Sequence, residues 1–287
     1  MTRPSDTAIG VTTWVIPARR LARRAPWAPQ LLDSLTTFAA ALGLGLGLAL
    51  LLASCSGRRL EAAPERSSSH PAMSNLEAPS PSLAVTPVAA DRLCVTKGAA
   101  SLGGAITEPT VRAVALGTSG EAASLTFRFL GDTATTHELA SGESRRQLGL
   151  KLRAQDGCNL VYVMWRLDPK PGLSVSVKHN PGMRTHKECG ADGYTRVKPL
   201  RGAALAPVPA LHPDASHILR AELSGDDLLA WIDDQLVWRG PLPAAARTLS
   251  GPAGLRSDNV RYDLVGFSAA AAPAAAAPAK CSPEHGD

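Results

Sequence analysis

Five residues, Lys151, Arg153, Tyr162, Arg166 and Lys178, are spaced so that they can share one face of a sheet. In RQLGLKLRA, Leu148, Leu150 and Leu152 alternate with Gln147, Lys151 and Arg153. In NLVYVMWRL, Val161, Val163, Trp165 and Leu167 alternate with Tyr162, Met164 and Arg166, and in LSVSVKHN, Val175 and Val177 leave Lys178 on the opposite side. If the three segments are neighbouring strands, the polar side is a cationic patch with one aromatic ring. That combination suits an anionic sugar. Arginine grips a carboxylate or sulfate with two parallel hydrogen bonds, and a tyrosine ring stacks on a sugar face. The bland alternative is an ordinary solvated sheet face.

Other reactive side chains carry less. His179, His186 and Cys189 in KHNPGMRTHKEC are all zinc-ligand types, but their spacing matches no known site and no fourth ligand is evident. We therefore expect no metal there. Cys94, Cys158, Cys189 and Cys281 are better read as two disulfides of an oxidising compartment, with three connectivities open. The favoured pairs are Cys158 with Cys189, flanking successive strands, and Cys94 with Cys281, tying the domain ends together. Asp226, Asp227, Asp233 and Asp234 read as hairpin residues, with calcium binding as the alternative. Glu222 stands alone on its strand, and no run of paired carboxylates supplies the two acids a retaining glycosidase needs. No Gly-x-Ser-x-Gly, His-Glu-x-x-His or phosphate-loop motif appears. A non-catalytic role is expected.

The elements that must position these residues are strands. From Leu93 onward the apolar period is two, as in LTFRFL with Leu125, Phe127 and Phe129 on one side. HILRAEL, LLAWI and QLVW, separated by Ser224-Gly225-Asp226-Asp227 and Asp233-Asp234, read as a meander. Trp165 and Trp231 fall on the apolar side, while Trp238 is a candidate exposed platform. No stretch of 93–268 sustains a helical period. The fold class is all-β, an antiparallel β-sandwich of many short strands.

The ending ILRAELSGDDLLAWIDDQLVWRGPLP, followed by GPAGLRSDNVRYDLVGF, resembles the last third of concanavalin A-like (laminin G-like) jelly rolls. Gly251, Gly254, Leu255, Arg256, Asn259 and Phe267 fall where that family has its Gly-x-x-Gly-Leu-Arg-x-x-Asn segment and final strand. Asp234-Gln235 replaces the usual Asp-Gly turn, and Val265-Gly266-Phe267 replaces the acidic close. The resemblance covers about 50 residues and implies a fold, not an activity. The middle of the chain also resembles uncharacterised lipoproteins of myxobacteria.

The N-terminal region carries an address. Arg19, Arg20, Arg23 and Arg24 precede the uncharged run LTTFAAALGLGLGLALLLA at 35–53, and Leu52-Ala53-Ser54-Cys55 matches the bacterial lipobox. Cys55 is the expected lipidation site, its acyl chains holding the mature protein on a membrane. An uncleaved helix of about 19 residues is the alternative. About 34 residues precede the run, and a start site set too far upstream accounts for them. Ser56, rather than Asp, favours the outer membrane of a cell envelope.

Residues 1–55 are thus expected to be signal, 56–92 a disordered Pro/Ser/Ala linker, 93–268 the sandwich and 269–287 an Ala/Pro-rich tail. The formal charge of +5 does not point to nucleic acid, since Arg19, Arg20, Arg23 and Arg24 lie in the signal. Residues 128–201 hold 13 Lys/Arg against 7 Asp/Glu, and 202–268 hold 5 against 8. That mild asymmetry can steer an anionic partner but is no dense basic stripe. The leading expectation is an envelope lipoprotein that binds a polysaccharide. The alternatives are an adhesion protein contacting another envelope protein, or a glycan-degrading enzyme.

Overall fold

Alternating apolar and polar residues bury one side of each strand and wet the other, so a chain of such strands closes its apolar sides against each other. The computed structural model describes residues 79–273 and Cys281. Among these, fourteen strands run in chain order. They are β1 (Thr86–Pro87), β2 (Leu93–Lys97), β3 (Ala105–Ile106), β4 (Thr110–Ala115), β5 (Thr118–Asp132), β6 (Arg146–Leu152) and β7 (Leu160–Asp168). After them come β8 (Gly172–Lys178), β9 (Tyr194–Val197), β10 (Ser216–Ser224), β11 (Asp227–Ile232), β12 (Gln235–Pro241), β13 (Gly254–Asp258) and β14 (Val260–Ala271). Two single-turn helices, α1 (His186–Cys189) and α2 (Ala244–Arg247), sit in loops.

The strands form two antiparallel sheets. The first has the order β1-β14-β5-β10-β11-β12, with β3 also on β14; the second has the order β2-β4-β13-β6-β7-β8-β9. The chain changes sheet at every step from β1 to β6 and again at β9–β10, β12–β13 and β13–β14, the winding of a jelly-roll sandwich. The expected fold class is therefore the observed one. Between the sheets lie Leu125, Phe127, Leu148, Leu150, Val163, Trp165, Leu219, Leu255 and Leu264, all buried. Each such side chain contributes roughly 1.5–3 kcal/mol. Phe127 meets Trp165 edge-on at 5.8 Å and Tyr262 at 6.0 Å, a preferred aromatic geometry.

The expected boundaries shift. Residues 79–92, assigned to the linker, belong to the sandwich: Thr86 and Pro87 pair with Ala269 and Ser268 of β14, and Val88 is buried. The Glu222 carboxylate anchors this segment, accepting the Ser82 and Leu83 amides at 3.0–3.1 Å and the Ser82 hydroxyl at 2.9 Å. Trp231 Nε1 donates to the Pro79 carbonyl at 3.0 Å. A Pro- and Ser-rich stretch needs no core of its own when a neighbouring sheet face supplies the partners. At the other end, β14 runs to Ala271, three residues into the expected tail.

Two tryptophan assignments also change. Trp238 is 3 % exposed and packs in the central core, so it is no platform. Ala230 pairs with Trp238 but Trp231 pairs with Leu236, leaving Val237 as the extra residue of a bulge. A bulge resets the side-chain alternation, and Val237 and Trp238 both join the core. Trp231 is buried as expected, but in a separate cluster with Leu229 and Leu236 on the outer side of the first sheet. Asp233 and Asp234 make the two-residue β11–β12 turn with φ of 50° and 63°, the left-handed pair such hairpins require.

Glu222→Gln is expected to loosen the entry segment selectively, because an amide NH2 must then face the Ser82 and Leu83 N–H groups. Loss of that anchoring costs about 1–2 kcal/mol, seen as roughly tenfold faster amide exchange across 82–88. Exchange unchanged there would refute the anchoring role. Residues 1–78, with Cys55, lie outside the described residues.

Candidate functional site

The outward face of the second sheet carries a cleft of about 310 Å³. Its floor follows from alternation. Gln147 on β6, Tyr162, Met164 and Arg166 on β7, Ser174 and Ser176 on β8, Tyr194 and Arg196 on β9 and Arg256 on β13 all point away from the core and line it. The register makes them neighbours: Gln147 opposes Arg166, Tyr162 opposes Ser176, and Ser176 opposes Arg196. The depression exists because β8 presents serines between the larger side chains on either side.

Two loops wall the cleft. One, ending at Arg145, contributes Leu139, Ala140 and Ser141; the other contributes His186, Gly190 and Ala191 around α1. Asn259, with φ of 56°, staples the first. Its side-chain amide donates to the His137 and Arg145 carbonyls at 2.9 Å and accepts the His137 N–H at 2.7 Å. The second is held by the Cys158–Cys189 disulfide, Cα–Cα 5.9 Å. Asn180 accompanies it, its N–H donating to Asn159 Oδ1 at 2.8 Å. Glu188 caps α1 from its third residue, accepting the Arg184 and Thr185 N–H groups and the Thr185 hydroxyl at 2.8–3.0 Å. Those bonds hold its carboxyl down at about 2. The second disulfide joins Cys94 and Cys281, Cα–Cα 5.4 Å. Both expected pairings are present, and with its sulfur in a disulfide Cys189 is no thiolate ligand.

Arg166 is the distinctive residue of the cleft. Its side chain is nine-tenths buried at 9 % exposure, and its Nε has no hydrogen-bond partner among the described residues. Burial, then the like charges of Arg145 and Arg196, push the guanidinium below its ordinary value, with Glu143 acting in the opposite sense. Arg145 is paired with Glu143, whose carboxyl it holds below the usual range. Three arginines therefore converge where one carboxylate offsets them. A buried, incompletely compensated guanidinium costs folding free energy, and an anion supplied from outside would offset that cost.

Arg256 is fixed differently. Asp258 accepts from Arg256 at 2.9 Å, from Arg112 at 2.7 Å and from Gln147 at 2.7 Å. Burial alone would raise the Asp258 carboxyl, but Arg256, Arg112 and Gln147 outweigh it and bring it to about 2. The Arg256 guanidinium lies 5.0 Å from the Tyr162 ring centre, and Tyr162 stacks with Tyr194 at 6.0 Å and 21°. Tyr194 is 43 % exposed and is the ring a ligand can reach. The carboxyls paired with the cleft's arginines, Glu143 and Asp258, are both held below their ordinary values. Neither carries the raised proton affinity of a general acid.

Of the five residues proposed from sequence, the structure brings Tyr162 and Arg166 together in the cleft and separates the rest. Lys151 and Lys178 share the face but are fully buried. Lys178 Nζ donates to the Gly157 carbonyl at 3.0 Å and lies 5.2 Å from the Tyr194 ring centre, so it supports the wall. Arg153 leaves the face altogether. It follows the last residue of β6 with φ of 45°, and its guanidinium grips Glu121 with two bonds of 2.8 Å and the Ala246 carbonyl at 2.9 Å. Sequence reasoning missed Arg145, Tyr194, Arg196 and Arg256. Alternation in Tyr194-x-Arg196 and Gly254-x-Arg256-x-Asp258 was the available signal for three of them. The turn aspartates are engaged at the protein surface, Asp226 with Arg247, Asp227 with Arg239 and Asp233 with His217.

Fold and cleft together define an antiparallel jelly-roll sandwich with a ligand-sized depression on one sheet. No protein-family model and no curated protein matches the sequence. Among solved structures it is similar to the carbohydrate-binding module CBM66 from Bacillus subtilis, at 12 % identity and a TM-score of 0.41, covering 63 % of this chain and 93 % of that one. It is also similar to the Crh5 transglycosylase in complex with NAG, at 14 % identity and a TM-score of 0.37, covering 68 % and 86 %. A third is the galectin LEC-6 of Caenorhabditis elegans, at 9 % identity and a TM-score of 0.33, covering 60 % and 98 %. At these identities no site residue carries over.

Proposed function

We propose that this protein binds an acidic glycan, without catalysis, in the cleft between Arg145, Arg166, Arg196 and Tyr194. The observation that carries the reading is Arg166, desolvated in the cleft floor and aimed into it without a carboxylate of its own. A uronate or sulfate group seated there receives two parallel charge-assisted bonds. Ser174, Ser176 and Gln147 offer short donors and acceptors for sugar hydroxyls, and the Tyr194 ring offers a stacking surface. Such a pocket, partly apolar with a few convergent polar groups, is the usual form of a small-ligand site.

The sequence motif at Cys55 supports a further part of the proposal, that the domain is lipid-anchored at a cell envelope. The lipobox Leu52-Ala53-Ser54-Cys55 follows a basic segment and an uncharged apolar run, and acyl chains on that thiol would hold the protein on a membrane.

Isothermal titration with tetragalacturonate and with a neutral tetrasaccharide of the same length tests the first part. The acidic ligand is expected to bind, more weakly as salt rises because the contact is electrostatic, and the neutral one at least tenfold less tightly. Equal silence toward both would end the reading. For the anchor, mass spectrometry should find diacylglyceryl on Cys55; an unmodified Cys55 still joined to residue 54 would exclude it.

A further inference from the structure

The cleft does not end at Arg256. It runs on into a smaller hollow of about 40 Å³ that shares Leu139, Ala140, His186 and Arg256 with it and adds Lys97, Arg112, His137 and Glu138. That is room for a few water-sized groups, the head of a carboxylate or sulfate rather than a sugar ring. Lys97 reaches this face through a bulge. Val95 opposes Ala113, but Lys97, not Thr96, opposes Arg112. Unbroken alternation would turn Lys97 inward with Val95, which packs against the core; the extra residue resets the alternation. Lys97, Arg112, Arg256, Gly149 and Met164 then form one cross-strand row. Because Gly149 has no side chain, Arg256 can lean over β6 to the Tyr162 ring, and the row joins the hollow to the cleft.

The charge there is uneven. Arg112 and Arg256 are buried and share the Asp258 carboxylate, Lys97 is exposed, and Glu138 is the acid among the described lining residues. Arg112 is held by the Val111 and Ser257 carbonyls at 2.9 and 2.8 Å, so it contributes charge, while Lys97 and Arg256 are the groups a ligand can touch. From β7, which carries Arg166, β13 lies two strands away and β2 four, roughly 10 and 19 Å at about 4.8 Å per strand. One acid on one sugar ring cannot occupy both places. We propose that the hollow is a second anion subsite contacted by Lys97 and Arg256, and that the ligand is a chain bearing negative groups at intervals, laid across the strands from β7 toward β2. The identity of that chain rests on the acidic-glycan reading given above; the subsite does not.

The test compares the parent with Lys97→Ala, a change at an exposed strand end that spares the core. The first readout uses no glycan: the side-chain Nε–Hε NMR signals of Arg256 and Arg166 during titration with sodium sulfate, against sodium chloride at equal ionic strength. The Arg256 signal is expected to move with sulfate, about fivefold less tightly in Lys97→Ala, while the Arg166 signal titrates alike in both proteins. Tetragalacturonate should also bind the variant about fivefold more weakly, whereas monomeric galacturonate, seated at Arg166 alone, should bind it as it binds the parent. An Arg256 signal that ignores sulfate, or follows it equally in the two proteins, would overturn the second subsite and leave the Arg166 reading standing. Equal tetragalacturonate affinity in the two would overturn the extended ligand. Sulfate shifts of the expected pattern with no binding of either uronate would uphold the two subsites and refute the acidic-glycan reading instead.

Discussion

Arg166→Met is expected to weaken uronate binding roughly a hundredfold while leaving the protein as stable as before, or more so. The two halves of that result have one cause. In the free protein the guanidinium is buried without a partner for its Nε, so an apolar side chain of similar length relieves a desolvation cost. In the complex the same group would donate two charge-assisted bonds, together about 3 kcal/mol, and 1.4 kcal/mol is tenfold in Kd. Calorimetry of binding and thermal unfolding of the same samples check both. Arg166→Lys separates charge from geometry: an ammonium keeps the charge but loses the planar fork, and most of the affinity should still be lost. A variant that loses stability along with binding would show Arg166 to be a structural residue and remove the main support for the proposed site.

Asp258→Ala should cost about 3–5 kcal/mol of unfolding free energy, since it removes the carboxylate shared by two buried guanidinium groups. Asp258→Asn should fall between this variant and the parent. The same carboxyl sets an acid limit on stability. Its folded value of about 2 lies below the ordinary 3.8, so its contribution is complete above about pH 4 and is lost as pH falls toward 2. The linkage amounts to roughly 2 kcal/mol. Urea titrations at pH 5 and pH 2.5 should show a loss of stability in the parent that exceeds the loss in Asp258→Ala by about that amount. Identical pH dependence in the two proteins would mean that the buried triad does not govern acid sensitivity. Arg256 would also lose its anchor beside Tyr162, so the variant should bind more weakly as well.

The sheets were legible in the sequence because period two reports which way a side chain points. Leu148, Leu150 and Leu152 against Val161, Val163 and Trp165 predicted the β6–β7 pairing face correctly. The period does not report what lies over the face, and so Lys151 and Lys178 were expected at the surface although both are fully buried. Nor does it report where a strand stops. Arg153 fits the alternation of β6, but a left-handed backbone at that residue turns the side chain toward Glu121. The bulge at Val237 is equally silent in a sequence of alternating residues, and it moved Trp238 inside.

The site shows the same division. Arg166 and Tyr162 were found because they lie in the middle of a long strand. Arg145 comes from a loop whose position depends on Asn259, more than a hundred residues away. Arg256 belongs to a segment recognised as a mark of the fold, and its place beside Tyr162 depends on β6 lying between the two strands. Long-range neighbours of this kind are set by sheet order, which local pattern does not encode.

The Cys94–Cys281 bond links residues 187 positions apart and so closes nearly the whole sandwich into a covalent ring. A single protease nick anywhere within that ring opens it without parting the pieces. Such a molecule can be cut once in an exposed connection and still retain every strand of both sheets.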